Sequence, residues 1–216
     1  MERSKEIVSL NIETSGTLCS VSLGINDKCI DCMEADDGEY HSERLHVFVA
    51  ELLRKNNIHI RQLSVISVSS GPGSYTGLRI GAAAAKSMAY ALGIPMITLS
   101  SLHTQALNFI DSCRKYDYIA STMHARGNKI YLGIYSHEGS EILPPQTFVV
   151  SESSIQEIVT QYPNVVFIGS GSVHLNNVVK DNHVVKPSAK YMVKKVFEKY
   201  QQKAFADIVY FEPLYI

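Results

Sequence analysis

Two stretches carry residue types that could do chemistry. In NIETSG, Glu13 is followed by Thr14, Ser15 and Gly16 at the end of an apolar run. A carboxylate beside a hydroxyl-rich, glycine-containing turn suits a divalent metal, or phosphates carried with one. In SSGPGSYTGLRIGAAAAKSMAYALG, an apolar run gives way to glycines and then to helix-forming sequence. The start of a helix offers unbonded N–H groups and the positive end of its dipole, so an anion could sit there. Glu13, Ser15 and Gly73 are therefore the candidates for a cofactor site. The spacing argues against a phosphate fingerprint. Gly71, Gly73 and Gly77 lie two and four apart, no Walker lysine follows, and Pro72 removes an N–H donor.

Metal chemistry needs further ligands. Asp31, Glu34, Asp36, Asp37 and Glu39 lie in DCMEADDGE, where a strand runs out, and read as a solvated acidic loop. His41 and His46 are five apart, which puts their rings on different sides of a helix. His103, His124, His137, His174 and His183 have no ligand types beside them, and no G-x-S-x-G elbow occurs. Cys29 and Cys32 form a C-x-x-C, but in a strand an offset of three predicts opposite faces. The expectation is no catalytic residue, no metal and no cofactor. Charged groups show no reason for a shifted pKa.

The elements that must position these residues follow from periodicity. Residues 6–12, 18–25 and 28–35 read as three strands. HSERLHVFVAELLRKNN follows, with Leu45, Phe48, Val49, Leu52 and Leu53 on one helical stripe, Val47 off it, and Ser42 as N-cap. Residues 63–69 are a strand, 76–92 a helix closed by Gly93, 95–99 a strand, and SSLHTQALNFI opens a helix. The second half repeats the order: strands at 117–123, 129–135 and 141–150, a helix at 151–162, a strand at 164–169, a short helix at 171–180, a brief strand at 183–185, and a helix at 188–203. A three-strand meander followed by alternating helix and strand is the ribonuclease H-like plan. Two of them make an α/β chain of the actin-like type, the first lobe covering 1–105 and the second 106–216, with the join near 103–115.

The helix at 76–92 is unusual. Arg79 and Lys86 are its only charged residues, and Gly77, Gly81 and Ala82–Ala85 would let another backbone approach. Such a helix is either central to its own chain or shared with a partner. Composition narrows the field. The chain has 216 residues and a net charge of -1, with 45% hydrophobic residues. No global basic surface draws nucleic acid, so any service to RNA needs a partner. MERSKEIVSLNI lacks a signal-peptide core and no apolar run reaches spanning length, so a cytoplasmic protein with no membrane partner is expected.

HSERL and SSGPGSYTGLRIGAAAAKSMAYALGIPMITLSSLHTQA closely resemble the signature of the bacterial TsaB (YeaZ) family. NIETSGTLCSVSL is similar to that family's opening hairpin, and MHARGNKIYLGIY and FEPLYI are weaker echoes. The resemblance implies an actin-like fold of two ribonuclease H-like lobes. It implies a non-catalytic subunit in making N6-threonylcarbamoyladenosine at position 37 of tRNAs that read ANN codons. The implied partners are a TsaD-like catalytic paralogue, a TsaE-like P-loop ATPase and, through the complex, tRNA, with a homodimer when alone. The two helices after the first meander would form the interface, through His41, Leu45, Val47, Phe48, Leu52, Ser74, Tyr75, Leu78, Arg79, Ala82, Ala83 and Lys86. HSERLH departs from the metal-holding motif of the catalytic paralogue, and Glu13, His124 and the end at Ile216 depart from the family pattern. Two readings stay open: an actin-fold ATPase or sugar kinase using Glu13 and the Gly73–Gly77 turn, and a nuclease using Glu13 with Asp36 or Asp37.

Overall fold

The computed structural model describes residues 6–36, 41–112, 115–175 and 182–216. Asp37, Glu39, the His174 side chain and residues 176–180 of the expected helix at 171–180 lie outside these. The first half folds as β1 (Val8–Glu13), β2 (Cys19–Ile25), β3 (Lys28–Ala35), α1 (His41–Lys55), β4 (Val65–Ser69), α2 (Tyr75–Leu92), β5 (Met96–Leu99) and α3 (Ser101–Phe109). The second half follows as β6 (Tyr118–His124), β7 (Lys129–Ser136), β8 (Glu141–Val149), α4 (Glu152–Gln161), β9 (Val165–Ile168), β10 (Asn182–His183) and α5 (Met192–Gln201). The strands form two sheets, ordered β3-β2-β1-β4-β5 and β10-β9-β6-β7-β8. Read from its meander edge, the second repeats the first. In each, the meander is antiparallel, and the strands after the first helix join parallel to its first strand.

The helices cross between the halves. Leu102, Ala106 and Phe109 of α3 pack with Ile119, Met123 and Val166 of the second sheet. Met192 and Val196 of α5 pack with Val65, Ile97 and Leu99 of the first. A division at residue 105 falls inside α3.

Several local expectations shift. α1 begins at His41, so Ser42 is inside the helix and does not cap it. Residues 170–175 form a 3-10 turn, and the last helix starts with a 3-10 turn at Ala189–Tyr191 before α5 proper. Cys29 and Cys32 do not face opposite ways. A bulge between the Leu23–Asp31 and Gly24–Cys29 pairs inserts one residue and resets the alternation. Cys32 Sγ lies 3.6 Å from Ser20 Oγ, and Cys29 lies beside Ser22 on the same face of β2. Burial raises both thiol pKa values, Cys32 to about 12, so both are unreactive small side chains.

Candidate functional site: the interlobe cleft and the face of α1 and α2

β1 and β4 are parallel neighbours, so their C-terminal ends deliver the two chemistry-bearing turns side by side. After β4 the chain passes Ser70 and a cis Gly71–Pro72 peptide, and Ser74 caps α2 by accepting from Gly77 N at 3.3 Å. Ser74 N donates to Ser15 O at 2.7 Å, and Thr14 Oγ1 donates to Gly77 O at 2.8 Å. The glycines are required by this seam. A Cβ on Gly73 would collide with Ser15 O, and one on Gly77 with Thr14 O. Gly81 meets Thr14 Oγ1 in the same way. The backbone that approaches the glycine stripe of α2 is thus the chain's own first turn.

Glu13 is fully buried. Its Oε1 accepts from Ser15 N at 2.7 Å, while Oε2 has no partner with ordinary hydrogen-bond geometry. Burial raises its pKa, opposed by the nearby Ser15 and Ser69 hydroxyls. The acidic residues of β3, and Asp36 just after it, have structural partners. Asp31 binds Lys55 and Asn56, Asp36 binds Lys186 and Thr17, and Glu34 accepts from Ser20 and Ser188. Among the described residues, no three His, Cys, Asp or Glu side chains gather as a metal site.

Ser15, His41, Gly73, Thr76, His124 and Lys186 are among the residues lining a cleft of about 420 Å³ between the lobes. Among its described lining residues there is no carboxylate. An actin-like fold implies a nucleotide with magnesium here, and the residues do not fit one. The first turn is bonded onto the start of α2, and Glu13 is fully buried and does not line the cleft, so it offers no carboxylate there to hold the metal.

The second surface is the outer face of α1 and α2. Leu45, Phe48, Leu52, Leu78 and Ala82 are buried inside the lobe and support the two helices from beneath. His41 is buried at the cleft. Val47, Ser74, Tyr75, Arg79 and Ala83 are exposed, and Lys86 is half-buried. Ala84 faces the core. The flank of α2 at Tyr75, Arg79 and Lys86 carries the C-terminal tail, which sequence reasoning missed. Lys86 Nζ donates to Val209 O and Phe211 O at 3.1 and 3.0 Å. Arg79 Nε donates to Tyr215 Oη at 3.4 Å, and Tyr75 packs on the Tyr215 ring at 5.1 Å. Arg79 and Lys86, the only charged residues of this helix, were the available signal.

Residues 36–209 match the family model of TsaD, tRNA N6-adenosine threonylcarbamoyltransferase. The chain is 27% identical to the tRNA threonylcarbamoyladenosine biosynthesis protein TsaB of Buchnera aphidicola, over 91% of both chains. It is 33% identical to TsaB of Bacillus subtilis, over 66% of this chain and 62% of that one. The solved structure of YeaZ from Pseudomonas aeruginosa superposes with a TM-score of 0.82 at 20% identity, covering 97% of this chain and 100% of the other. Sheets, crossed helices and cleft define an α/β protein of the two-lobed actin-like class. Within that class, the chain belongs to the tRNA N6-adenosine threonylcarbamoyltransferase family, on its TsaB (YeaZ) branch. Among the described residues, no helix is long and apolar enough to cross a membrane.

Proposed function

We propose that this chain serves the formation of N6-threonylcarbamoyladenosine in tRNA as a non-catalytic subunit. It pairs with a TsaD-like catalytic paralogue of the same fold, a TsaE-like P-loop ATPase joins the pair, and tRNA is reached through the complex in the cytoplasm. The observation that carries this is the similarity to a TsaB protein over nine-tenths of both chains. The non-catalytic role is supported by the chemistry of the cleft: Glu13 is buried off its lining and biased toward its neutral form, and Asp36 is tied to Lys186. Pairing, with the paralogue or with a second copy, uses the exposed stripe of α1 and α2, where Val47 and Ala83 let another helix approach closely.

The test combines the purified chain with the catalytic paralogue and P-loop ATPase of its own organism and follows tRNA modification. Full modification without this chain would overturn the reading. Ala83→Arg should leave the circular dichroism unchanged and weaken pairing at least about tenfold, because an unpaired guanidinium would be buried at the seam. Unchanged affinity in the folded variant would remove α2 from the interface.

A further inference from the structure

The sheet face that carries Glu13 is a row of buried polar side chains. Earlier in the row, Asn11 is fully satisfied: its Nδ2 donates to Ser9 Oγ and Ser22 Oγ at 3.2 Å, and its Oδ1 accepts from Ser67 Oγ at 2.7 Å. Glu13 continues the row two residues on, paired across to Ser20 of β2. The Ser20 hydroxyl is already given to Glu34 and accepts from Ala189 N. That leaves Glu13 with the hydroxyls of Ser15 and Ser69. We propose that Glu13 is a proton-operated latch: its neutral carboxyl ties the first turn to the end of β4 and holds that turn on α2, and its ionisation opens this seam.

Glu13 Oε1 accepts from Ser15 N at 2.7 Å, and Ser15 O accepts from Ser74 N at 2.7 Å. The carboxyl, the first turn and the start of α2 are therefore one chain of bonds. Glu13 Oε2, Ser15 Oγ and Ser69 Oγ are buried without a partner of ordinary geometry, and both hydroxyls lie against the carboxyl. A proton on Oε2 gives these three oxygens a further donor. A carboxylate in the same place is a buried charge without a cation, and such a group neutralises in preference to staying ionised. Burial accordingly raises the Glu13 pKa, with the surrounding hydrogen bonds opposing it.

Among the described residues no ion pair reaches Glu13. The charged and titratable groups on the surrounding elements are committed elsewhere or turned away. Glu34 of β3, a like charge, accepts from Ser20 and Ser188. Arg79 of α2 turns out to Tyr215. Lys190, ahead of α5, lies over the Tyr191 ring. On α5, Lys194 is exposed, Lys195 pairs with Glu198, and Lys199 donates to Thr98 O. Lys186 is held by Asp36, and His103 of α3 is bonded to Gly139 O. His41 and His124 line the cleft, which Glu13 does not. The latch is a property of the chain alone and does not depend on subunit pairing.

The experiment compares amide hydrogen exchange in the full native chain and in Glu13→Gln, whose side-chain amide keeps a donor in place of the carboxyl proton and cannot ionise. Ser15 N and Ser74 N, both bonded within the latch, are the reporters. In the open seam Glu13 has its ordinary pKa of 4.5, so opening gains about tenfold per pH unit above that value until the closed carboxyl itself ionises. The ratio of native to variant exchange at the reporters should be at least about tenfold greater at about pH 7 than at about pH 4. A ratio that stays level with pH overturns the latch. Corrected for intrinsic rates, the reporters should also exchange at least about tenfold faster than the amides of Ile134 and Phe167 in the second sheet, which marks a local opening. Equal rates at both places overturn the latch, because the seam then opens only when the chain unfolds. The native chain supplies a measurement that needs no variant, and it decides if Glu13→Gln does not fold. The carboxyl carbon NMR signal of Glu13, traced from its own backbone, should titrate above the exposed glutamates, and the Ser15 and Ser74 amide signals should move with the same midpoint. Titration together with the exposed glutamates, or amides that do not follow the carboxyl, overturns the proposal.

Discussion

His103 shows how strongly a single residue depends on the crossed helices. It sits on α3, 7% exposed, with Nε2 2.9 Å from Gly139 O and its ring stacked on Tyr135 at 4.7 Å. Burial lowers its pKa to about 4 from 6.5, and the Gly139 carbonyl only partly opposes that. Between these values the unfolded chain takes up a proton that the folded chain does not. Stability is therefore fully present above pH 6.5 and falls as pH drops toward 4, by on the order of 3 kcal/mol in all. Glu13 works in the opposite sense. Its raised pKa gives a contribution that is complete below 4.5 and fades as pH rises. Denaturant midpoints measured from pH 4 to 7 should fall with acid in the native chain and fall less in His103→Gln. Parallel profiles would show that His103 does not set the slope. Neither residue could be read this way from sequence. In SSLHTQA the histidine has no marked neighbour, and its burial comes from a sheet that begins more than ten residues later.

α2 shows where reading an element from its sequence stops. Its limits were legible: Gly93 adopts the left-handed C-cap at φ 63°, and the apolar content predicted burial on more than one side. What covers each side was not legible, because an alanine-rich surface fits many neighbours. Leu78, Ala85 and Ala89 turn inward, the glycines meet the first turn, and the tail runs along the Arg79 and Lys86 side. Ala83 is left exposed. The bulge that turns Cys29 and Cys32 to one face was equally invisible, since a β3 register is set by its partner strand. The tail gives an element-scale prediction. Leu214 N donates to Ser70 O at 2.7 Å, and Gly71, at φ +92°, lies beneath Leu214 where a Cβ would sit 2.9 Å from its carbonyl. Deleting residues 209–216 removes this bond, the two Lys86 bonds and the Tyr215 contacts together. A loss of about 1–3 kcal/mol is expected, or roughly 2–10 °C in Tm for a chain of this size. Lys86→Met should reproduce part of it. An unchanged Tm in the deletion would mean that the tail does not hold α2.

At the scale of the molecule, the duplicated order of elements was plain in the sequence because each half writes the same alternation of periods. The exchange of α3 and α5 was not, because an amphipathic stripe says that a helix is buried and not against which sheet. That exchange makes the two lobes one folding unit. Without α5, the first sheet would expose Val65, Ile97 and Leu99, all 2% exposed or less in the whole chain. Uncovering three such side chains costs roughly 5–9 kcal/mol, comparable to the roughly 5–15 kcal/mol that stabilises a whole domain. Further bonds cross the same junction: Ser22 Oγ donates to Ala189 O at 2.7 Å, Lys199 Nζ to Thr98 O at 2.9 Å, and Asn108 Nδ2 to Lys186 O at 2.9 Å. A fragment ending at Ser112 should therefore lack a cooperative transition by itself, and so should its complement. Co-expressed, the two should assemble and recover the native circular dichroism. The intact chain should unfold in a single calorimetric peak whose van't Hoff and calorimetric enthalpies agree. Two separated peaks, or a cooperatively folded first fragment, would show that each sheet holds without the other half's helix.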